Sequence, residues 1–174
     1  MSHYPILETE RLILSAPTAD DIAPMHAIVS DSETGRFLGP VTNPAIQFER
    51  FARNAGSWML YGYGSFMARL HGSDEVIGSV GVFHSWRGMG TDFDNNPEAG
   101  WILHRDQAGQ GLAMEAMQAT FGWFDAAYGP RRVVCMIGVG NGASLRLAGK
   151  LGFCAMREAV LPDGDRVTLL VRHP

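Results

Sequence analysis

Cysteine is scarce in this chain: there are two, Cys135 and Cys154, each inside an apolar stretch, with no CxxC pair and no histidine at ligand spacing. That excludes a disulfide scaffold and a cysteine-based metal site, and predicts two buried free thiols in a reducing compartment. Charge is scarce too: 18% of residues are charged against 46% hydrophobic, too apolar a mixture to stay disordered. Nor is there a basic excess. The net charge of −4 argues against a general nucleic-acid or anionic-membrane binder, and suits an amine-bearing partner better. No apolar run approaches the roughly 20 residues of a membrane helix, and the opening MSHYPILETERLIL lacks a basic segment followed by an apolar one. A cytoplasmic location without membrane association is expected. No linker, charge block or repeat divides the 174 residues, and at that length about 70% of the unfolded surface is buried on folding. Residues 1–174 therefore read as one domain.

Glycine, by contrast, is plentiful, and its 21 copies punctuate a clear order of elements. RLILS at Arg11–Ser15 reads as a strand; Thr18 with Asp21 opens a helix to about Ser30; Asn43-Pro44 opens a second one through Phe48, Phe51 and Ala52. Tyr63 to Val82 is a β-hairpin broken at His71-Gly72-Ser73-Asp74, and Glu98–His104 (EAGWILH) is a strand after the polar loop Gly88–Pro97. Ala113, Met117, Phe121, Phe124 and Tyr128 recur at helical spacing up to the stop at Gly129-Pro130. A buried strand at Val133–Ile137, a short helix at Ala143–Leu151, and a closing β pair at Phe153–Val160 and Arg166–Val171 complete an α/β fold. The expected architecture is a mixed central sheet with flanking helices and at least one parallel crossover.

Two strand-to-helix junctions are glycine-rich, the kind of turn in which backbone amides and a helix N-terminus hold phosphate. One is Asp106-Gln107-Ala108-Gly109-Gln110-Gly111-Leu112-Ala113; the other is Gly138-Val139-Gly140-Asn141-Gly142-Ala143-Ser144. Gly138, Gly140 and Ala143 fit the dinucleotide fingerprint GxGxxA, with Glu158 where a ribose-binding acid belongs, so a nicotinamide nucleotide is one candidate ligand. Little chain remains after that turn for the further βα units a dinucleotide domain needs.

Thr9-Glu10-Arg11-Leu12-Ile13-Leu14, then Ala99-Gly100-Trp101-Ile102-Leu103 leading into Gly109-Gln110-Gly111-Leu112-Ala113-Met114-Glu115-Ala116, then Asn141-Gly142-Ala143-Ser144 leading into Lys150-Leu151-Gly152-Phe153, together resemble the GNAT acetyltransferases. The RimJ/RimL-like branch, which acetylates ribosomal-protein N-termini, is the most similar. The resemblance implies that acetyl-CoA lies with its pyrophosphate on the amides of Gly109, Gln110, Gly111, Leu112 and Ala113. The side chain that usually leads this turn is Gln or Arg; here Asp106 stands there, with Arg105 beside it. Backbone groups around Ile102 and Leu103 would pair with pantetheine and the thioester oxygen, and Asn141 would touch pantetheine while capping its helix. No metal is implied, and dimers are common among such relatives.

Acetyl transfer to an amine needs a neutral amine, a stabilised oxyanion and a proton for the departing thiolate. By resemblance Glu98 stands where an acidic base is often proposed. The tyrosine that protonates the thiolate in many relatives is replaced by Ala148, leaving the Ser144 hydroxyl for the cofactor sulfur; both residues also have plain readings, a strand-edge glutamate and a helix-capping serine. Arg146 and Lys150 could meet the outer phosphate or simply face solvent, and Asp92 and Asp94 could attract a cationic amine. The Phe37 to Asn43 segment, with some of the tryptophans and tyrosines, could line an acceptor cleft. His84 and His104 lack metal-site company, and Ser85 lacks a nucleophile elbow. The reading is an acetyl-CoA-dependent N-acetyltransferase acting on a small amine or a protein N-terminus, with a noncatalytic acyl-CoA sensor and a nicotinamide-nucleotide protein as the alternatives.

Overall fold

The computed structural model describes residues 4–39 and 43–174. Strand β1 (Leu7–Glu8), too short to read from sequence, folds back on β2 (Leu12–Ser15), whose Leu12 and Leu14 alternate into the core. Thr18 and Asp21 form a capping box around the turn Ala19–Asp21 that leads into α1 (Ile22–Ser30): the Asp21 carboxylate accepts from the Thr18 amide at 2.7 Å and the Thr18 hydroxyl at 3.0 Å. Helix α2 (Pro44–Tyr61) opens as expected, with Asn43 Oδ1 accepting from the Ile46 amide at 3.0 Å and proline at its first position.

The hairpin is β3 (Ser65–Leu70) and β4 (Val76–His84), and β5 (Pro97–Leu103) follows the polar loop. Next come α3 (Leu112–Tyr128), β6 (Val133–Gly138), α4 (Gly142–Lys150), and the closing pair β7 (Cys154–Val160) and β8 (Arg166–Arg172). One eight-stranded sheet results, in the order β1-β2-β3-β4-β5-β6-β8-β7, with β5 and β6 parallel and their neighbours antiparallel. Helix α3 buries Leu112, Ala116, Met117, Phe121 and Phe124 against this sheet, each large side chain worth about 1.5–3 kcal/mol. That packing fixes where the start of α3 points.

Two expectations fail. Cys135 is buried, but Cys154 is exposed because β7 forms the sheet edge; neither thiol is bridged. After Gly138 the chain makes one short helix and an antiparallel pair instead of further parallel βα units, so the nicotinamide-nucleotide fold is absent. Phe37 packs against Gly138, and Glu158 pairs with Arg166.

Candidate active site

The parallel pair that anchors the site is brief. β5 matches β4 along its length, from Gly78↔Leu103 to His84↔Pro97, but meets β6 only at Glu98↔Val134 and Ala99↔Cys135. Beyond Ala99 the two strands diverge while β6 stays paired with β8. The His104 amide donates to the Ile77 carbonyl at 2.9 Å, and strand alternation then turns the backbone groups of Ile102 toward β4 and those of Trp101 and Leu103 toward the gap. The Ile102 side chain lines the cavity, as does Trp101.

β5 runs into a turn in which Gly109 (φ +75°) and Gly111 (φ +78°) are left-handed, a conformation that side-chain-bearing residues resist. Space beside Gly109 is open, and the first amides of α3, including those of Leu112 and Ala113, have no partner within their own helix. Exposed amides at the positive end of a 17-residue helix fit a pyrophosphate. Gln110 braces the turn by donating to the Asp106 carbonyl at 2.9 Å. The exposed Asp106 carboxylate lies 3.6 Å from Arg105. Arg105 also reaches Asp31 at 3.7 Å, and remains exposed.

A clamp unseen in the sequence holds this turn. Glu115, in the first turn of α3, accepts from the Thr9 hydroxyl at 2.6 Å, the Arg11 amide at 2.8 Å and Arg11 Nε at 2.7 Å, while Arg11 Nη1 donates to the Gln110 carbonyl at 2.9 Å. Burial pushes the Glu115 pKa up, but these donors outweigh it and hold the carboxyl below its usual range. The Thr9-Glu10-Arg11 signal was visible; its partner lies over a hundred residues away.

On the other side of the gap, Asn141 Oδ1 caps α4 by accepting from the Ser144 amide at 3.1 Å. Trp101 Nε1 lies 3.3 Å from Ser144 Oγ. Indole can only donate, so this contact leaves the serine O–H free to donate elsewhere. Ala148 is fully buried and offers no acid.

Glu98 is 3% exposed, and its oxygens take four hydrogen bonds: Arg87 Nε at 2.8 and 3.0 Å, Arg87 Nη2 at 2.7 Å, and the Ser85 hydroxyl. Burial lowers the Arg87 pKa, yet Glu98 pushes it up overall. Cys135 lies beside Glu98 with its thiol pKa raised, by burial first and the carboxylate second, which keeps it protonated and a poor nucleophile. Glu98, Trp101, Ser144 and Cys135 open onto one cavity of about 780 Å³, whose other walls include α2 and the turn between β7 and β8.

Other candidates have structural duties. Asp92 pairs with Arg157 at 2.8 Å, and Asp94 accepts from the Arg87 amide at 2.9 Å, so both brace their own loop. His84 stacks on Tyr61 at 4.0 Å, and His104 Nδ1 accepts from the Asp106 amide at 3.4 Å. Arg146 and Lys150 are exposed on α4. Phe37, Leu38 and Gly39 line the cavity, whereas residues 40–42 of that segment lie outside the described residues. No group of three metal-ligating side chains occurs among the described residues.

Residues 11–154 match the acetyltransferase (GNAT) domain family. A solved GNAT-family acetyltransferase from Bordetella pertussis is similar at 33% identity and TM-score 0.86, covering 97% of this chain and 99% of that one. The N-acetyltransferase YoaA of Bacillus subtilis is 26% identical over 91% of this chain and 86% of its own. RimL, a ribosomal L7/L12 α-N-protein acetyltransferase solved with coenzyme A, shares the fold at TM-score 0.76 and 18% identity, covering 97% of this chain and 98% of that one. Since the matching region holds both the diverging strands and the glycine turn, this chain belongs to the GNAT family and is an acetyl-CoA-dependent acetyltransferase.

Proposed function

We propose that this enzyme acetylates a primary amine by direct attack on the thioester, in the manner of the RimJ/RimL-like branch, with a small amine or a protein N-terminal α-amine as acceptor. The observation that carries the reading is the continuous cavity: it joins the gap between β5 and β6 to the α2 side, so cofactor and amine can meet without a covalent relay. The protonated Cys135 favours the same direct route. RimL, a protein N-terminal acetyltransferase by name, lends the acceptor class through fold alone.

In this reading the amides of Gly109 to Ala113 hold the pyrophosphate with Arg105 beside them, Asn141 touches pantetheine while capping α4, and acetyl-CoA supplies the acyl group. The backbone of Trp101 and Leu103 pairs with pantetheine, and an amide there stabilises the oxyanion. The amine nitrogen bonds to the carbonyl carbon as the carbon–sulfur bond breaks. Ser144 donates a hydrogen bond to the leaving sulfur, held in register by Trp101. Glu98 draws the proton from the amine, which must displace one of the Arg87 or Ser85 donors or act through water. We also expect one domain over residues 1–174 in the cytoplasm, apart from nucleic acid and membrane; dimers are common among the proteins it resembles.

The test is thiol release from acetyl-CoA over a panel of amines and peptides, with mass spectrometry locating the acetyl group on nitrogen. Cofactor binding without turnover on any amine would favour the acyl-CoA sensor. The pH profile of Glu98→Gln separates base from scaffold: a base loses more rate at neutral than at high pH, and an unchanged profile removes Glu98 from proton transfer.

A further inference from the structure

The wall of the cavity formed by α2 is mixed: Phe51 and Ala55 are apolar, while Gln47, Arg50, Arg53 and Asn54 are polar, with Arg50 three residues from both Gln47 and Arg53. Among the described residues neither Arg50 nor Arg53 has a carboxylate within the 4.0 Å of an ion pair. Their nearest charged company is adverse. The Arg53 pKa is lowered by burial first and then by Arg87 and Arg50, with Glu98 alone opposing, and Glu98 is already taken by Arg87. Arg50 is half-buried and Arg53 exposed, and like charges at this spacing on a helix repel. A bound anion would relieve that repulsion.

Placement says what the anion belongs to. Arg53 is close enough to Glu98 for their charges to couple, and Glu98 sits where β5 parts from β6. The two arginines therefore flank the acceptor half of the cavity, away from the glycine turn that fits pyrophosphate. On the β7–β8 turn, Asp163 and Asp165 line the same cavity without pairing with either arginine. They would repel an acidic group turned their way and so favour a single orientation.

We propose that Arg50 and Arg53 bind a carboxylate on the acceptor, so that the amine acetylated here carries an acidic group near its amino nitrogen. The free carboxylate of an amino acid and an acidic side chain following a peptide N-terminus share this chemistry. The proposal rests on the acetyltransferase reading above and narrows its substrate class.

The experiment compares matched probes on the full-length protein. Serine is set against serine amide, and the peptide amide Ser-Asp-Ala against Ser-Asn-Ala, by thiol release from acetyl-CoA. The carboxylate member of at least one pair should have the higher kcat/KM, by about tenfold, expressed mainly in KM. Arg50→Gln and Arg53→Gln should each erode that preference while leaving acetyl-CoA affinity unchanged. Preference in the first pair identifies a free amino acid; preference in the second, an acidic N-terminus. Equal rates within both pairs, or a preference that survives in the double variant, overturns the proposal. If no amine turns over, calorimetry with N-acetylserine against its amide in the presence of CoA decides. Carboxylate-selective binding that is lost in the variants supports the arginine pair even where catalysis fails, and equal or absent binding refutes it. Failure of acetyl-CoA itself to bind would instead count against the acetyltransferase reading.

Discussion

On the side proposed for the cofactor the groups on offer are backbone: the amides around Gly109 and Gly111 in the turn after β5, and the strand groups of Trp101 and Leu103 left open where β5 parts from β6. On the side proposed for the acceptor they are side chains: Arg50 and Arg53 on α2, and the Arg87–Glu98 pair lining the same cavity. A backbone cradle depends on conformation, so it tolerates many sequences provided glycine stays where φ is positive. A side-chain wall depends on identity and charge, so it can be rewritten by a few substitutions while the fold persists. The contrast predicts that damage to the two ends will register in different measurements.

The largest effect should come from Arg87→Ala. It leaves the Glu98 carboxylate, 3% exposed, without its counter-ion, and urea unfolding should show a loss of about 3–5 kcal/mol. A loss below about 1 kcal/mol would mean that the acceptor end does not depend on this pair. Gly111→Val tests the opposite end. A β-branched residue at φ +78° costs about 1–3 kcal/mol, and acetyl-CoA affinity measured by calorimetry should fall about tenfold or more. Arg53→Gln should leave that affinity alone; equal losses in the two variants would erase the distinction between the ends.

The pH limits of stability should also divide by region. Tyr63, packed edge-on against Phe124 at 5.1 Å below the end of α2, has its pKa pushed from 10.0 up to about 12, chiefly by burial. The folded state holds that proton more tightly, so the contribution is complete below pH 10 and disappears as pH rises toward 12. Tyr63→Phe should flatten the alkaline limb. Glu115 acts in reverse: with its folded pKa below the ordinary 4.5, its contribution is present above that value and is lost on acidification. Glu115→Gln should flatten the acid limb, and a crossed result would misassign both. Smallest is Trp101→Phe, which removes one hydrogen bond to Ser144, about 0.5–1.5 kcal/mol, and should lower kcat about threefold to tenfold with the KM for acetyl-CoA unchanged.

Much of the fold was legible because its signals are local. Asn43-Pro44 opens α2, the spacing of Met117, Phe121 and Phe124 makes α3 amphipathic, and Gly109 and Gly111 mark a left-handed turn. β1 escaped notice because two residues carry no period. Cys154 looked buried among apolar neighbours, yet edge position, a property of strand order, exposes it. Gly138-x-Gly140 looked like a phosphate turn, because sequence cannot say that Phe37 packs there. Arg50 and Arg53 carried no motif, and their place on the cavity wall follows only from how α2 packs.

The sequence alone determined the elements, their order and the glycine turn, since helix caps, hydrophobic period and positive φ act within a few residues of the chain. Only the tertiary structure decided that β5 leaves β6 after Ala99, that Arg11 reaches Glu115, that Trp101 meets Ser144, and that Arg50 and Arg53 of α2 line the cavity. Those relations join residues distant in the chain, and they exist only once the packing of α3 and α2 on the twisted sheet has fixed which side chains share a space.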